Sequence, residues 1–229
     1  MKLKHITFTG IGPDTDVKTL LEIQKEYPIV EWGVLLSENW KENGKRFFDP
    51  YELYRLKYQG LNLSCHLCGH IAKRALNNDW GPAFEICKSS FAMFQRCQLN
   101  IAGYKDNPAK LDIRIPDTLN EVIIQQKSAT EIDLWCSGLP NHQLSVLLDA
   151  SGGRGVDTPV RVLNTSLKVG YAGGINPDNV GEKLNYLMSE PMAQNIWIDM
   201  ESGVRTDDEF DIDKVMKVLS ICDEVLSKF

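Results

Sequence analysis

Eight short apolar runs punctuate this chain, at residues 5–11, 30–37, 61–68, 96–103, 121–126, 144–150, 168–173 and 195–200. Each has the length of a strand, and several lead into a stretch with helical periodicity. Strand followed by helix, repeated, predicts a parallel sheet, because parallel neighbours are joined only by crossovers. Eight such units predict an α/β chain folded as one (β/α)8 TIM barrel over residues 1–229. The runner-up is an open doubly wound sheet, but the N-terminal phosphate loop of that architecture is missing.

Helix starts can be read in several places. Asp14 or Asp16 is placed to cap a helix with Val17, Leu20, Leu21 and Gln24 on one face. Asp49-Pro50 and Asn176-Pro177 each put a capping side chain before a proline, and Val180, Leu184 and Leu187 follow the second as a buried stripe. Ile212, Val215, Leu219, Cys222 and Leu226 give the last helix, from about Asp211. Segments 104–119 and 152–167 carry little helical periodicity, and a helix near 130–137 would be short. Some helices of the barrel are therefore expected to be short or degenerate.

Composition narrows the function. The net charge is −6 with no basic stripe, so nucleic acid is not an expected partner. No apolar run approaches the roughly 18 residues of a membrane span, so no membrane partner is expected either. The N-terminal Met1-Lys2-Leu3-Lys4-His5 enters a strand without the features of a signal peptide. Of the cysteines at 65, 68, 87, 97, 136 and 222, four fall inside apolar periodic segments. Reduced thiols and a cytoplasmic location are expected. Cys65, Cys68 and His70 have a zinc-like spacing, but Cys65 and Cys68 fall on opposite faces of a strand and no second pair follows. No metal and no cofactor are expected.

The last three runs end in small residues: Asp149-Ala150-Ser151-Gly152-Gly153-Arg154-Gly155, Ala172-Gly173-Gly174-Ile175-Asn176 and Asp199-Met200-Glu201-Ser202-Gly203-Val204. Buried strands that end this way deliver bare backbone N–H groups to an anion. Three in succession predict a phosphate site made by Gly152, Gly153, Gly155, Gly173, Gly174, Ser202 and Gly203. Strand alternation then sorts the remaining candidates. Thr9, His66, Gln98, Asn100, Asp149, Asp199 and Glu201 point into the barrel near its C-terminal end, where active sites of such barrels lie.

These stretches resemble phosphoribosylanthranilate isomerase of tryptophan biosynthesis, a phosphate-binding (β/α)8 barrel. Leu147-Leu148-Asp149 with Gly152-Gly153-Arg154-Gly155 is similar to the strand-six motif and its loop. Gly173-Gly174-Ile175-Asn176-Pro177-Asp178-Asn179-Val180 is similar to the strand-seven phosphate loop, and Asp199-Met200-Glu201-Ser202-Gly203-Val204 to the strand-eight segment. Weaker echoes are Gly44-Lys45-Arg46-Phe47 through Pro50, and Gln98-Leu99. The resemblance implies an Amadori rearrangement of a phosphorylated ribosylamine, with Asp149 as the acid. It also exposes departures. Thr9 stands where the family has its basic cysteine, Asn100 replaces a histidine, and Glu201 replaces a serine. A threonine hydroxyl is no base at neutral pH. A carboxylate beside a phosphate repels it unless Glu201 turns away.

The resulting expectation is a small phosphorylated sugar as ligand, Asp149, Thr9 and His66 as catalytic candidates, and Arg46, Asn100 and Glu201 as substrate-binding candidates. His66 or Glu201 would take the proton. Asp199 reads first as a structural carboxylate, and Arg46 reads equally as a solvated charge. Two other readings stay open. One is a sugar-phosphate-binding barrel that has lost the isomerase base. The other is different chemistry on a sugar phosphate, with Lys127 as a minor Schiff-base candidate. The loops at 38–46 and 152–160 are long and polar, as water-excluding lids are.

Overall fold

The computed structural model describes residues 2–43, 45–57, 59–101, 113–128 and 143–229. Eight parallel strands close into a barrel in chain order: β1 (Leu3–Thr9), β2 (Val30–Leu36), β3 (Leu63–Leu67), β4 (Arg96–Leu99), β5 (Glu121–Gln126), β6 (Leu144–Asp149), β7 (Lys168–Ala172) and β8 (Ile196–Met200). β8 returns to β1, with Thr7 opposite Asp199 and Phe8 opposite Met200. All eight apolar runs are strands, with ends displaced by at most a few residues.

The helices around the barrel are uneven. Among the described residues they are α1 (Val17–Glu26), α2 (Gly69–Leu76), α3 (Gly81–Cys87), α4 (Val180–Ser189) and α5 (Ile212–Leu226). Asp16 caps α1 by accepting from the amides of Lys18 and Thr19, and Asp211 caps α5 by accepting from Lys214. Two other predicted starts need correction. Asp49 accepts from the Tyr51 amide at 2.8 Å and makes a turn, and only a 3-10 turn at Leu53–Arg55 follows. Asn176 likewise accepts from the Asp178 amide, so α4 starts later, with Asn179 at its cap. In both places the side chain satisfies a nearby amide locally, which competes with helix initiation. Segment 151–167 has no helix, as its aperiodic pattern predicts. The short helix expected near 130–137 and most of 104–119 lie outside the described residues.

Parity holds on the strands. Val146, Leu148, Cys65 and Cys97 join the core beneath the helices. Ile123, Leu147 and Trp197 form a separate cluster that plugs the barrel interior. Below that plug lies a buried charge network: Arg96 donates to Glu31 at 2.9 and 3.1 Å and to Glu121 at 2.9 Å, and Lys168 reaches Glu121. Above it the interior opens into the cavity described next.

Candidate active site

The C-terminal end of the barrel holds a cavity of about 680 Å³. Its wall includes Thr9, Arg46, His66, Asn100, Asp149 and Glu201, together with the glycine loops after β6, β7 and β8. Every catalytic and substrate-binding candidate read from the sequence therefore borders one space.

The three loops pack against one another, as a shared cradle requires. Gly155 lies against the Ser202 side chain, and Gly203 lies against the Ile175 carbonyl. Gly174, at φ +65°, sits so close to the Val156–Asp157 backbone that a Cβ would overlap it. Among the described residues nothing takes up the amides of Gly155 and Gly174, which leaves them available to an anion. The Arg154 side chain is also in the wall and donates to the Ser151 carbonyl at 2.8 Å.

Asp149 ends β6 as the clasp of the first loop. Its Oδ1 accepts from the Ser151 amide at 3.0 Å and the Ser151 hydroxyl at 2.7 Å. Its Oδ2 accepts from the Gly153 amide at 2.6 Å and from Gln125 Nε2 at 2.8 Å. The Ser151 hydroxyl can turn and accept instead, so this contact survives if Asp149 carries a proton. Gln125 and Ser151 were not singled out in the sequence; the inward parity of β5 is the signal that could have found Gln125.

Thr9 and Asp199 meet across the β1–β8 seam. Thr9 Oγ1 donates to Asp199 Oδ1 at 2.7 Å, and both residues are almost wholly buried, at 2% and 6% exposure. Burial pushes the Asp199 carboxyl up to about 7, against the Thr9 hydrogen bond that lowers it. Gly33 on β2 makes this arrangement possible. A Cβ there would come within 2.5 Å of Thr9 Oγ1 and 3.0 Å of His66 Nε2.

His66 is engaged on both ring nitrogens. Gln98 Nε2 lies 3.1 Å from Nδ1, which makes Nδ1 the acceptor, and Nε2 faces Ser64 Oγ at 3.1 Å. Burial lowers the imidazole to about 4, so it is neutral near pH 7. Asn100 takes a second donation from Gln98 at 2.9 Å and gives one to Cys68 Sγ at 3.2 Å. Burial pushes the Cys68 thiol up to about 12.

Glu201 reaches toward the loop after β2. It pairs with Arg46 Nη1 at 3.2 Å, and its Cγ lies beside Gly10. Burial raises the carboxyl against the pull of Arg46 and Arg205. Arg46 also pairs with Asp208 at 2.7 Å, and Lys45 with Glu209 at 2.8 Å. The loop after β2 is thus strapped to a two-stranded ribbon, β9 (Arg205–Thr206) and β10 (Glu209–Phe210). Lys127, just past β5, packs over Gly152 at the rim. Cys65 points out of the barrel and Cys68 into the cavity, so the pair does not converge.

Fold and mouth together define a (β/α)8 barrel with three packed glycine loops at one end. The sequence model of N-(5'phosphoribosyl)anthranilate (PRA) isomerase matches residues 114–220, which run from just before β5 into α5. Phosphoribosyl anthranilate isomerase from Thermotoga maritima superposes with a TM-score of 0.56 at 14% identity, covering 97% of this chain and 100% of that one. TrpF from Jonesia denitrificans gives 0.57 at 14% identity, covering 97% and 98%. A phosphoribosyl anthranilate isomerase in complex with reduced 1-(o-carboxyphenylamino)-1-deoxyribulose 5-phosphate gives 0.54 at 14% identity, covering 97% and 100%. At such identity these likenesses establish the fold. No curated protein matches the sequence. The chain is a (β/α)8 barrel whose residues 114–220 are similar to that isomerase family.

Proposed function

We propose that this barrel binds a phosphorylated aldosylamine and isomerises it to the 1-amino-ketose phosphate, the phosphoribosylanthranilate isomerase reaction of tryptophan biosynthesis. The observation that carries this reading is the cradle: three successive glycine loops packed together, with Asp149 clasping the first of them at the cavity wall. The Gly155 and Gly174 amides and the Ser202 hydroxyl would hold the phosphate, while the Gly152 and Gly153 amides stay with Asp149, which would protonate the ring oxygen. Arg46 would hold an anionic group on the other half of the substrate, released from or shared with Glu201 and Asp208. Cytoplasmic location fits the free thiols of Cys65, Cys87, Cys97 and Cys222.

A second reading, a sugar-phosphate-binding barrel without turnover, is favoured by one observation. Thr9 stands at the strand-one position where the family has its cysteine.

Turnover of freshly prepared phosphoribosylanthranilate, followed by anthranilate fluorescence, separates the two. The expected result is turnover in the native protein and its loss in Asp149→Asn. A folded native protein that binds the reduced product analogue but never turns over phosphoribosylanthranilate rejects the isomerase reading and leaves the second.

A further inference from the structure

The isomerisation needs a group that takes a proton from C2 of the sugar. The side chains that could do so border one cavity, and their surroundings separate them. His66 holds a protein partner at each ring nitrogen. Cys68 accepts from Asn100 and is kept a thiol by burial. Glu201 is paired with Arg46. Asp149 accepts from four protein donors. Asp199 differs from all of these. Among the described residues it takes a single hydrogen bond, from Thr9, on Oδ1, and it belongs to the cavity wall.

We propose that Asp199 is the base of this site and that Thr9, at the end of β1, is the positioning residue that orients it. The proposal rests on the isomerase reading above. Thr9 is too poor an acid to give up its own proton at neutral pH, but its hydroxyl can donate to a carboxylate and hold it in one rotamer. The β1 position thus keeps a part in proton transfer, through a carboxylate supplied by β8.

The step balances within the two carboxyl groups. Asp149 gives a proton to the ring oxygen as the C1–O bond breaks, and the nitrogen lone pair forms C=N. Asp199 takes the C2 proton. The C–H electrons become the C1=C2 bond, and the C=N electron pair returns to nitrogen. Asp199 then returns its proton to C1 while the C2 hydroxyl passes its proton to Asp149, which leaves the ketone. Nothing is oxidised or reduced overall, and both groups end as they began.

The groups that face Asp199 set when it can act. Thr9 on β1 bonds it, while Glu31 on β2, Asp149 on β6 and Glu201 just past β8 act on it through their charge. The three carboxylates and burial all favour the protonated form, and Thr9 opposes them. A base held near neutrality in this way combines a usable ionised fraction with useful proton affinity.

The test compares native protein, Asp199→Asn, Thr9→Val and Thr9→Ser for turnover of phosphoribosylanthranilate. Binding of reduced 1-(o-carboxyphenylamino)-1-deoxyribulose 5-phosphate is measured in parallel. In Asp199→Asn, kcat should fall about 10³-fold with analogue binding kept within about threefold, the range for a lost general base. In native protein, kcat/KM should rise with pH through one ionisation near 7. Thr9→Val should move that rise to higher pH, and Thr9→Ser should restore it. Asp199→Asn that turns over within about fivefold of native protein, with the analogue bound, overturns the proposal and leaves the isomerase reading standing. A native protein that binds the analogue but does not turn over overturns both.

Discussion

The two ends of the barrel interior treat buried charge in opposite ways. At the floor, Glu31 and Glu121 face Arg96 and Lys168 in direct pairs, Thr7 donates to Glu31 at 3.0 Å, and the Arg96 guanidinium stacks 4.4 Å from the Trp197 ring. Burial is the largest influence and would raise both floor carboxyls, but Arg96 together with the neighbouring groups, His5 and His66 at Glu31 and Lys168 and Ser145 at Glu121, holds them below their ordinary value. At the mouth, Asp199 has a hydroxyl in place of a cation, and burial wins. The floor matches carboxylate to cation and is built for stability. The mouth leaves a carboxyl able to titrate, which costs stability and provides chemistry.

The largest expected effect breaks the floor. Arg96→Met leaves two buried carboxylates without their shared cation, and should cost about 3–5 kcal/mol in urea unfolding. A loss below about 1 kcal/mol would show that the network does not anchor the barrel floor.

A smaller effect sharpens the contrast through pH. The native Asp199 carboxyl titrates near 7, above the unfolded value of about 4, so the native state holds the proton more tightly. Its stabilising contribution is full below about pH 4 and is lost as pH rises to 7. Asp199→Asn should therefore gain about 1–3 kcal/mol over native protein at pH 8 and little at pH 4. His66 works in the reverse sense. Its lowered value means stability that is present above about 6.5 and lost as pH falls toward 4. An Asp199→Asn gain that is the same at both pH values would contradict the assigned titration.

Next comes the cradle. Gly174→Ala places a Cβ on the Val156–Asp157 backbone at φ +65°. It should weaken binding of the reduced product analogue at least about tenfold by calorimetry, roughly 1.4 kcal/mol. Unchanged affinity would remove this loop from the proposed phosphate site. The smallest effect is expected at the rim, where the Lys45–Glu209 pair is exposed on both sides. Lys45→Ala should leave the melting temperature unchanged within error, and a clear drop would give the strap a structural weight not expected of a surface pair.

Much of this site was legible in the sequence because strand alternation is a local property. The inward set from Thr9 to Glu201 could be assigned from residues one or two positions apart, and the cavity contains it. The places of the glycine loops were legible for the same reason, since each follows directly on the end of a strand. Helix starts at Asp49 and Asn176 were misread, because a side chain that caps a helix and one that closes a turn make the same hydrogen bond.

By itself, the sequence determined the eight strands, their faces and the place of the cradle, since these follow from the period of the backbone and the size of side chains. Only the tertiary structure decided the state of each polar group. Asp199 and Thr9 lie 190 positions apart, and Arg46 and Glu201 lie 155 apart. Charge acts through distance and burial, and closure of β8 onto β1 is what brings Asp199 under a hydroxyl.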